Sequence, residues 1–170
     1  APNKGLYLFL EGVSIARKHL GELRVLVIGQ GPLANQVSRR TAALGLTDIM
    51  DFRSWITTPS ELANLYRRSR CLVCSSLSEG GPRVVAESLA CGVPVISTRV
   101  GLAGDLVKDG VNGFQIDWSA QEMADRIVQI SSDRALRMRL GETAPDAVRR
   151  FEKSRVIGEY ALAYKELASR

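Results

Sequence analysis

Residues 71–98 read CLVCSSLSEGGPRVVAESLACGVPVIST. Two short apolar runs, 71–74 and 94–98, bracket a glycine-containing loop and a helical pattern that stops at Gly92, just before Pro94. Glycine past the last helical turn and proline beyond it is the ordinary chemistry of a helix stop. Strand, loop, helix and strand in that order imply parallel strands joined by a helical crossover.

The same alternation extends in both directions. Strand candidates lie at 24–29 (RVLVIG), 48–52 (DIMDF) and 113–116 (GFQI), with helical patterns near 4–19, 33–44, 59–69 and 82–91. Nearly continuous apolar strands separated by helices predict an α/β fold, a Rossmann-like parallel sheet covered on both faces. Beyond Asp117 the pattern is helical, near 119–131, 133–141 and 153–169. The last segment carries Ile157, Tyr160, Ala161, Tyr164, Leu167 and Ala168 on one stripe, so this helical tail is expected to pack against something. No repeat, linker or low-complexity stretch interrupts the 170 residues, which suit one domain, 1–170.

Composition narrows the chemistry. Apolar residues make up 45% and charged residues 24%, as in a globular chain, and no apolar run approaches the roughly 18 residues of a transmembrane segment. The formal charge of +5 is spread along the chain, without the basic face and interleaved aromatics that nucleic-acid binding wants. Cys71 and Cys74 read as CxxC, but three residues apart on a strand they point to opposite faces. With Cys91 on a helix and His19 the sole histidine, no metal site is expected. Three unpaired thiols suit a reducing, cytoplasmic setting. The opening Ala1-Pro2-Asn3-Lys4-Gly5 has neither signal-peptide character nor an initiator Met and reads as the start of a segment from a longer protein.

In parallel sheets, ligands bind beyond the C-terminal strand ends, which directs attention to three loops. The first, Gly29-Gln30-Gly31-Pro32, resembles the start of a dinucleotide fingerprint, with Ala34 at the third glycine position and Asp51 at the next strand end. That pattern supports an NAD(P)-binding oxidoreductase as an alternative; a plain tight turn explains it as well. The second loop runs from Ser75 to Arg83. Gly80 and Gly81 permit close backbone approach, and Pro82 suits the first helical position. The amides of Arg83, Val84 and Val85 then face the loop mouth as a candidate diphosphate site. Glu79 and Glu87 beside such a site are better explained by sugar hydroxyls than by phosphate; the plainer reading is a turn with two solvated carboxylates. In the third loop, Gly101-Leu102-Ala103-Gly104-Asp105, the glycines admit a close ligand, but Asp105 reads more simply as capping or starting a short helix.

Together the segments resemble the C-terminal domain of GT-B glycosyltransferases of group 1, also called family 4. The resemblance rests on Lys4-Gly5, VIGQGP at 27–32, LGL and DF within 44–52, the run at 75–101, and KDGVNGF at 108–114. Glu79 and Glu87 match the family's E-x7-E motif. The resemblance implies a domain binding a nucleotide-diphosphate sugar (UDP-, GDP- or ADP-linked) for retaining hexosyl transfer without a metal or other cofactor. Carried over by position, Glu79 contacts the donor sugar in a catalytic, positioning sense, and Lys4 neutralises the leaving diphosphate. Gly80, Gly81, Pro82, Arg83 and Val84 hold the diphosphate, Glu87 the ribose, and the loop with Ser54 and Trp55 the base. Trp55 stacks there or is partly buried at its strand end.

The family pattern is also broken in places. A strand ending in Gly-Arg, its arginine gripping the diphosphate, normally precedes the Lys-Gly helix; one phosphate ligand and a central strand are therefore expected to be missing and the sheet to be completed another way. Ser54 stands for a glycine, and Ser88 for an alanine; both serines are expected to bear on the base pocket. The N-terminal acceptor domain is expected as a partner, with peripheral membrane contact an expectation for the full enzyme; without that domain the chain is expected to bind donor weakly and to be inactive. A third reading is a non-catalytic module that docks a partner through its amphipathic tail.

Overall fold

A computed structural model describes residues 2–168; position 169 of the predicted tail helix lies outside them. Five parallel strands alternate with helices as the sequence pattern requires. They are β1 (Val25–Ile28), β2 (Met50–Arg53), β3 (Leu72–Cys74), β4 (Val95–Thr98) and β5 (Gly113–Ile116). A 3-10 turn, Pro2–Lys4, leads into helix α1 (Leu6–Arg17), followed by α2 (Ala34–Ala43), α3 (Pro59–Arg68) and α4 (Arg83–Ala90). Then come α5 (Gly101–Leu106), α6 (Ala120–Ser132), α7 (Arg134–Thr143), a 3-10 segment at Ala144–Phe151, and α8 (Lys153–Ala168). Ser119 and Asp133 cap α6 and α7 by accepting from Glu122 and Leu136 amides, and Thr58 caps α3, with Pro59 at its first position.

The single expected sheet is two ladders. β1 pairs with β2, and β3, β4 and β5 pair in that order, every pair parallel. Among the described residues β1 and β3 thus each pair on one side only. One apolar cluster nevertheless spans both ladders: Val25 and Met50 share it with Val73, Ile96, Phe114 and Ile116, beneath α1, α2, α6 and α7. A second cluster lies on the other face, where Cys74 and Val95 meet α4, α5 and the Ala144–Phe151 segment. Neighbours 95 and 96, and likewise 73 and 74, divide between the clusters, the period of two expected of a strand buried on both sides. β4 is buried along its whole length.

Cys71 and Cys74 follow the same division, one in each cluster, so they do not converge. Burial pushes the Cys71 thiol up to about 12, which leaves it an inert apolar group.

Two boundaries moved for visible reasons. β2 starts at Met50 because residues 47–49 form a turn, closed by the Ile49 amide donating to the Leu46 carbonyl at 3.1 Å; the exposed Asp48 in that turn accepts from Arg17 at 2.8 and 2.7 Å. It continues to Arg53 because the Arg53 carbonyl accepts from the Gly29 amide at 2.8 Å. Asp51 is therefore the second residue of β2 and not its end.

The tail departs further from expectation. α8 has no buried residue, and Ile157, Tyr160, Tyr164 and Leu167 stand exposed, so the stripe is unpacked within the described chain. No helix among the described residues is long and apolar enough to cross a membrane.

Candidate functional site

The loop after β3 leaves the C-terminal edge of the three-stranded ladder, and two neighbouring segments hold its shape. The Thr98 hydroxyl, at the end of β4, donates to the Ser76 carbonyl, which ties the loop's first turn to the sheet. The 3-10 turn at Pro2–Lys4 is clipped on from the other side. The Leu77 amide donates to the Asn3 carbonyl at 2.7 Å, and the Ser75 hydroxyl to the Lys4 carbonyl at 3.0 Å.

Gly5 makes that clip possible. Its φ of 64° is left-handed, and a β-carbon there would lie 1.8 Å from the Ser75 carbonyl oxygen. Gly101 acts in the same way on the loop's far end. At φ 44° it sits where a β-carbon would lie 2.1 Å from the Glu79 carbonyl oxygen, while the Leu102 amide donates to the Gly80 carbonyl at 3.2 Å. The third loop's first glycine is thus a brace for the second loop. Asp105 neither caps nor starts α5, as the sequence pattern suggested: the helix begins at Gly101 with Val100 as its cap residue, leaving Asp105 near its end.

This bracing brings Lys4 and Glu79, 75 residues apart, into a direct ion pair. The Ser76 hydroxyl donates to the same carboxylate oxygen at 2.9 Å. The Lys4 ammonium chiefly holds the Glu79 carboxyl below its ordinary range; burial opposes it less strongly, and the Ser76 hydroxyl adds to the lowering. Glu79 is therefore an anion at neutral pH and not a proton donor. Its side chain keeps 17% exposure and that of Lys4 51%, so the pair lies at an open mouth.

Next to the pair, α4 begins one residue later than expected. Pro82, buried, has ψ 101° and is the cap residue; the first helical residue is Arg83. The Val85 amide consequently donates to the Pro82 carbonyl at 3.0 Å and is not free. Among the described residues, the amides of Gly80, Gly81, Arg83 and Val84 have no hydrogen-bond acceptor, and Gly80, Gly81, Arg83 and Val84 are all exposed. Free amides at a helix start, with the helix dipole behind them and Lys4 nearby, form a cradle for an anion.

Glu87 lies one turn along α4, half-buried. Tyr66, near the end of α3, donates its hydroxyl to Glu87 Oε2 at 3.1 Å, and exposed Arg83 approaches Oε1 at 3.4 Å. Neither Tyr66 nor Ser76 was anticipated. Ser76 stands three residues before Glu79, a position a loop-level reading can reach; Tyr66 is 21 residues from its partner, and only the α3–α4 packing joins them.

Ser54 and Trp55 occupy the loop after β2, both exposed, Trp55 to 77%, so the alternative of partial burial for the indole does not hold. No hydrogen bond or ion pair among the described residues joins them to Glu79 or Glu87. Beside them a shallow cavity of about 390 Å³ opens between Arg53 and the Ser60, Glu61, Asn64, Leu65 and Arg68 side of α3. Ser88, expected to bear on the base pocket, is instead fully buried and donates to the Val93 carbonyl at 3.2 Å.

The first loop is less suited to a dinucleotide than its glycines suggest. The Asp51 carboxylate accepts from Arg53 at 2.9 Å, and the Gly29 amide is spent on the β2 ladder. Among the described residues no group of three or more His, Cys, Asp or Glu side chains is gathered in one place.

Residues 1–147 match the family of glycosyl transferases group 1. A D-inositol 3-phosphate glycosyltransferase of Rhodococcus opacus is 33% identical over 137 residues, covering 77% of this chain and 30% of that protein. The chain spans less than half the length of the curated relatives it matches. Among solved structures, the C-terminal domain of the group 1 glycosyl transferase LpcC of Francisella tularensis aligns with a TM-score of 0.78 at 26% identity, over 87% of this chain and 79% of that one. Anabaena Alr3699/HepE, solved in complex with UDP, aligns with a TM-score of 0.84 at 22% identity, over 100% of this chain and 46% of that one.

Proposed function

Because the chain belongs to the group 1 glycosyl transferases, we propose that it is the part of such an enzyme that holds the nucleotide-diphosphate-sugar donor for hexosyl transfer. The observation that carries this reading is the adjacency of three unlike features on one strand edge. A cation–carboxylate pair, Lys4 and Glu79, lies beside unpaired amides at the start of α4, with a second carboxylate, Glu87, one turn further on. A hexose, the diphosphate beside it and the ribose beyond would meet these groups in that order.

Each group has a distinct task in this reading. Breaking the sugar–phosphate bond develops negative charge on the departing diphosphate, and groups already aimed at that charge lower the barrier. The amides of Gly80, Gly81, Arg83 and Val84, the Arg83 guanidinium and Lys4 supply that field, with Pro82 setting the helix entry. Glu79, anionic and fixed by Lys4 and Ser76, accepts hydrogen bonds from sugar hydroxyls and orients the ring. Glu87 does the same for the ribose diol, and the surface at Ser54 and Trp55 receives the base, its exposed indole being free to stack. Retention at the anomeric carbon, metal-free chemistry, an acceptor domain outside this chain and a cytoplasmic setting complete the proposal. No nucleophile is assigned.

Titration calorimetry of the chain with UDP, GDP, ADP and NAD tests it. One nucleoside diphosphate is expected to bind best, and Glu87→Ala to weaken it about tenfold, the order of one hydrogen-bonded charge. Preferred binding of NAD, indifferent to Glu87→Ala and lost with Asp51→Ala, would establish the dinucleotide reading instead.

A further inference from the structure

Glu87 is not held by its own helix alone. Its Oε2 accepts from the Tyr66 hydroxyl at 3.1 Å, whereas its Oε1 has only the long 3.4 Å approach of Arg83, whose side chain is 90% exposed. The terminal torsion of a glutamate is broad, so an unrestrained carboxylate sweeps a wide arc. The Tyr66 ring is half-buried between α3 and α4, and a phenol on two torsions is a rigid donor. Burial, and then the nearby Glu87 charge, push the phenol far above its ordinary value, so the proton stays on Tyr66 throughout the physiological range.

We propose that Tyr66 is a positioning residue that fixes the plane of the Glu87 carboxylate, and that this fixed plane makes the site select ribonucleotides over 2′-deoxyribonucleotides. A carboxylate meets both hydroxyls of a vicinal diol only in one narrow orientation. Each oxygen has two acceptor sites, so Oε2 can keep the Tyr66 bond while it takes a ribose hydroxyl. Loss of the 2′-hydroxyl then leaves one oxygen of a pre-aimed, partly buried carboxylate without its partner, the situation in which polar sites discriminate most strongly. The inference rests on Glu87 being the ribose ligand.

The test is calorimetry of the chain with UDP, GDP and ADP and with the 2′-deoxy counterpart of the one that binds best. The unmodified chain is expected to prefer the ribo form by about tenfold or more. Tyr66→Phe keeps the ring and its packing. It is expected to reduce ribonucleotide affinity about fivefold and deoxyribonucleotide affinity, which keeps only the 3′-hydroxyl contact, by clearly less, so that the preference narrows. A purely structural role would weaken both forms alike and preserve the ratio, and that result overturns the proposal. In a Glu87→Gln background, Tyr66→Phe is expected to change the ratio no further, because the two residues act as one unit. An additive effect there also overturns it. If the unmodified chain shows no ribo preference at all, the assignment of Glu87 to ribose fails, a result separate from any failure of Tyr66.

Discussion

Lys4 and Glu79 carry opposite charges across a half-open mouth, and the sign of their pH dependence follows from which of them is shifted. Glu79 is the perturbed group, held low by the Lys4 ammonium. Its contribution to stability is therefore complete above the ordinary glutamate value of about 4.3 and is lost as pH falls through the lower folded value. With Lys4 half-exposed, solvent screening limits the pair to about 1 kcal/mol. Lys4→Met is expected to lower stability by about that amount between pH 6 and 7, with the gap closing below pH 4, as followed by urea unfolding. A gap that stays constant with pH would contradict the pairing. The two glycines that set this contact are less forgiving. Gly5→Ala and Gly101→Ala combine left-handed backbone with collision against a fixed carbonyl, so each is expected to cost about 3 kcal/mol or more in the same assay. Gly104, whose added β-carbon meets nothing, is the control, and Gly104→Ala should be nearly silent.

At the level of elements, strands and helices were legible wherever a local rule decides them. β5 was read to the residue, and α3, α4, α6 and α7 within about two at each end, because caps, prolines and Gly92 mark their limits. Errors arose elsewhere. Asp48 lies in the turn before β2, bonded to Arg17 of α1 31 residues away, whereas Pro82 becomes a cap for a local reason, its extended ψ. The division of the sheet into two ladders is not legible in the hydrophobic period, which reports that a strand is buried and not which strand lies beside it; only the family resemblance, with its central strand ahead of the Lys-Gly helix, pointed to a gap. α8 shows the opposite failure, an apolar stripe with no buried residue. Tyr160 and Leu167 are solvent-exposed, so Tyr160→Ser and Leu167→Ser are expected to change the stability of the chain by less than about 0.5 kcal/mol. Hydrogen exchange should be fast in α8 and slow in buried α6. Strong protection of α8 amides would show that the stripe is covered.

Across the whole molecule, the candidate site was legible as a list of residues more than as a set of contacts. Glu79, Glu87 and the glycine-proline entry to α4 were visible from residue chemistry. Lys4 was singled out by resemblance, and its pairing with Glu79 needs the 3-10 turn clipped onto the β3 loop. Tyr66 and Thr98 act on neighbours remote in sequence and leave no local signal, whereas Ser76, three residues before Glu79, lay within reach of a loop-level reading. The central claim is that a diphosphate sits on the free amides at the start of α4, and amide chemical shifts of the labelled chain report on it directly. On adding the best-binding nucleoside diphosphate, the largest shifts are expected at Gly80, Gly81, Arg83 and Val84, and the Glu87→Ala chain should need about tenfold more nucleotide to reach them. Largest shifts at Gly29 and Gly31, with the α4 amides unmoved, would contradict it.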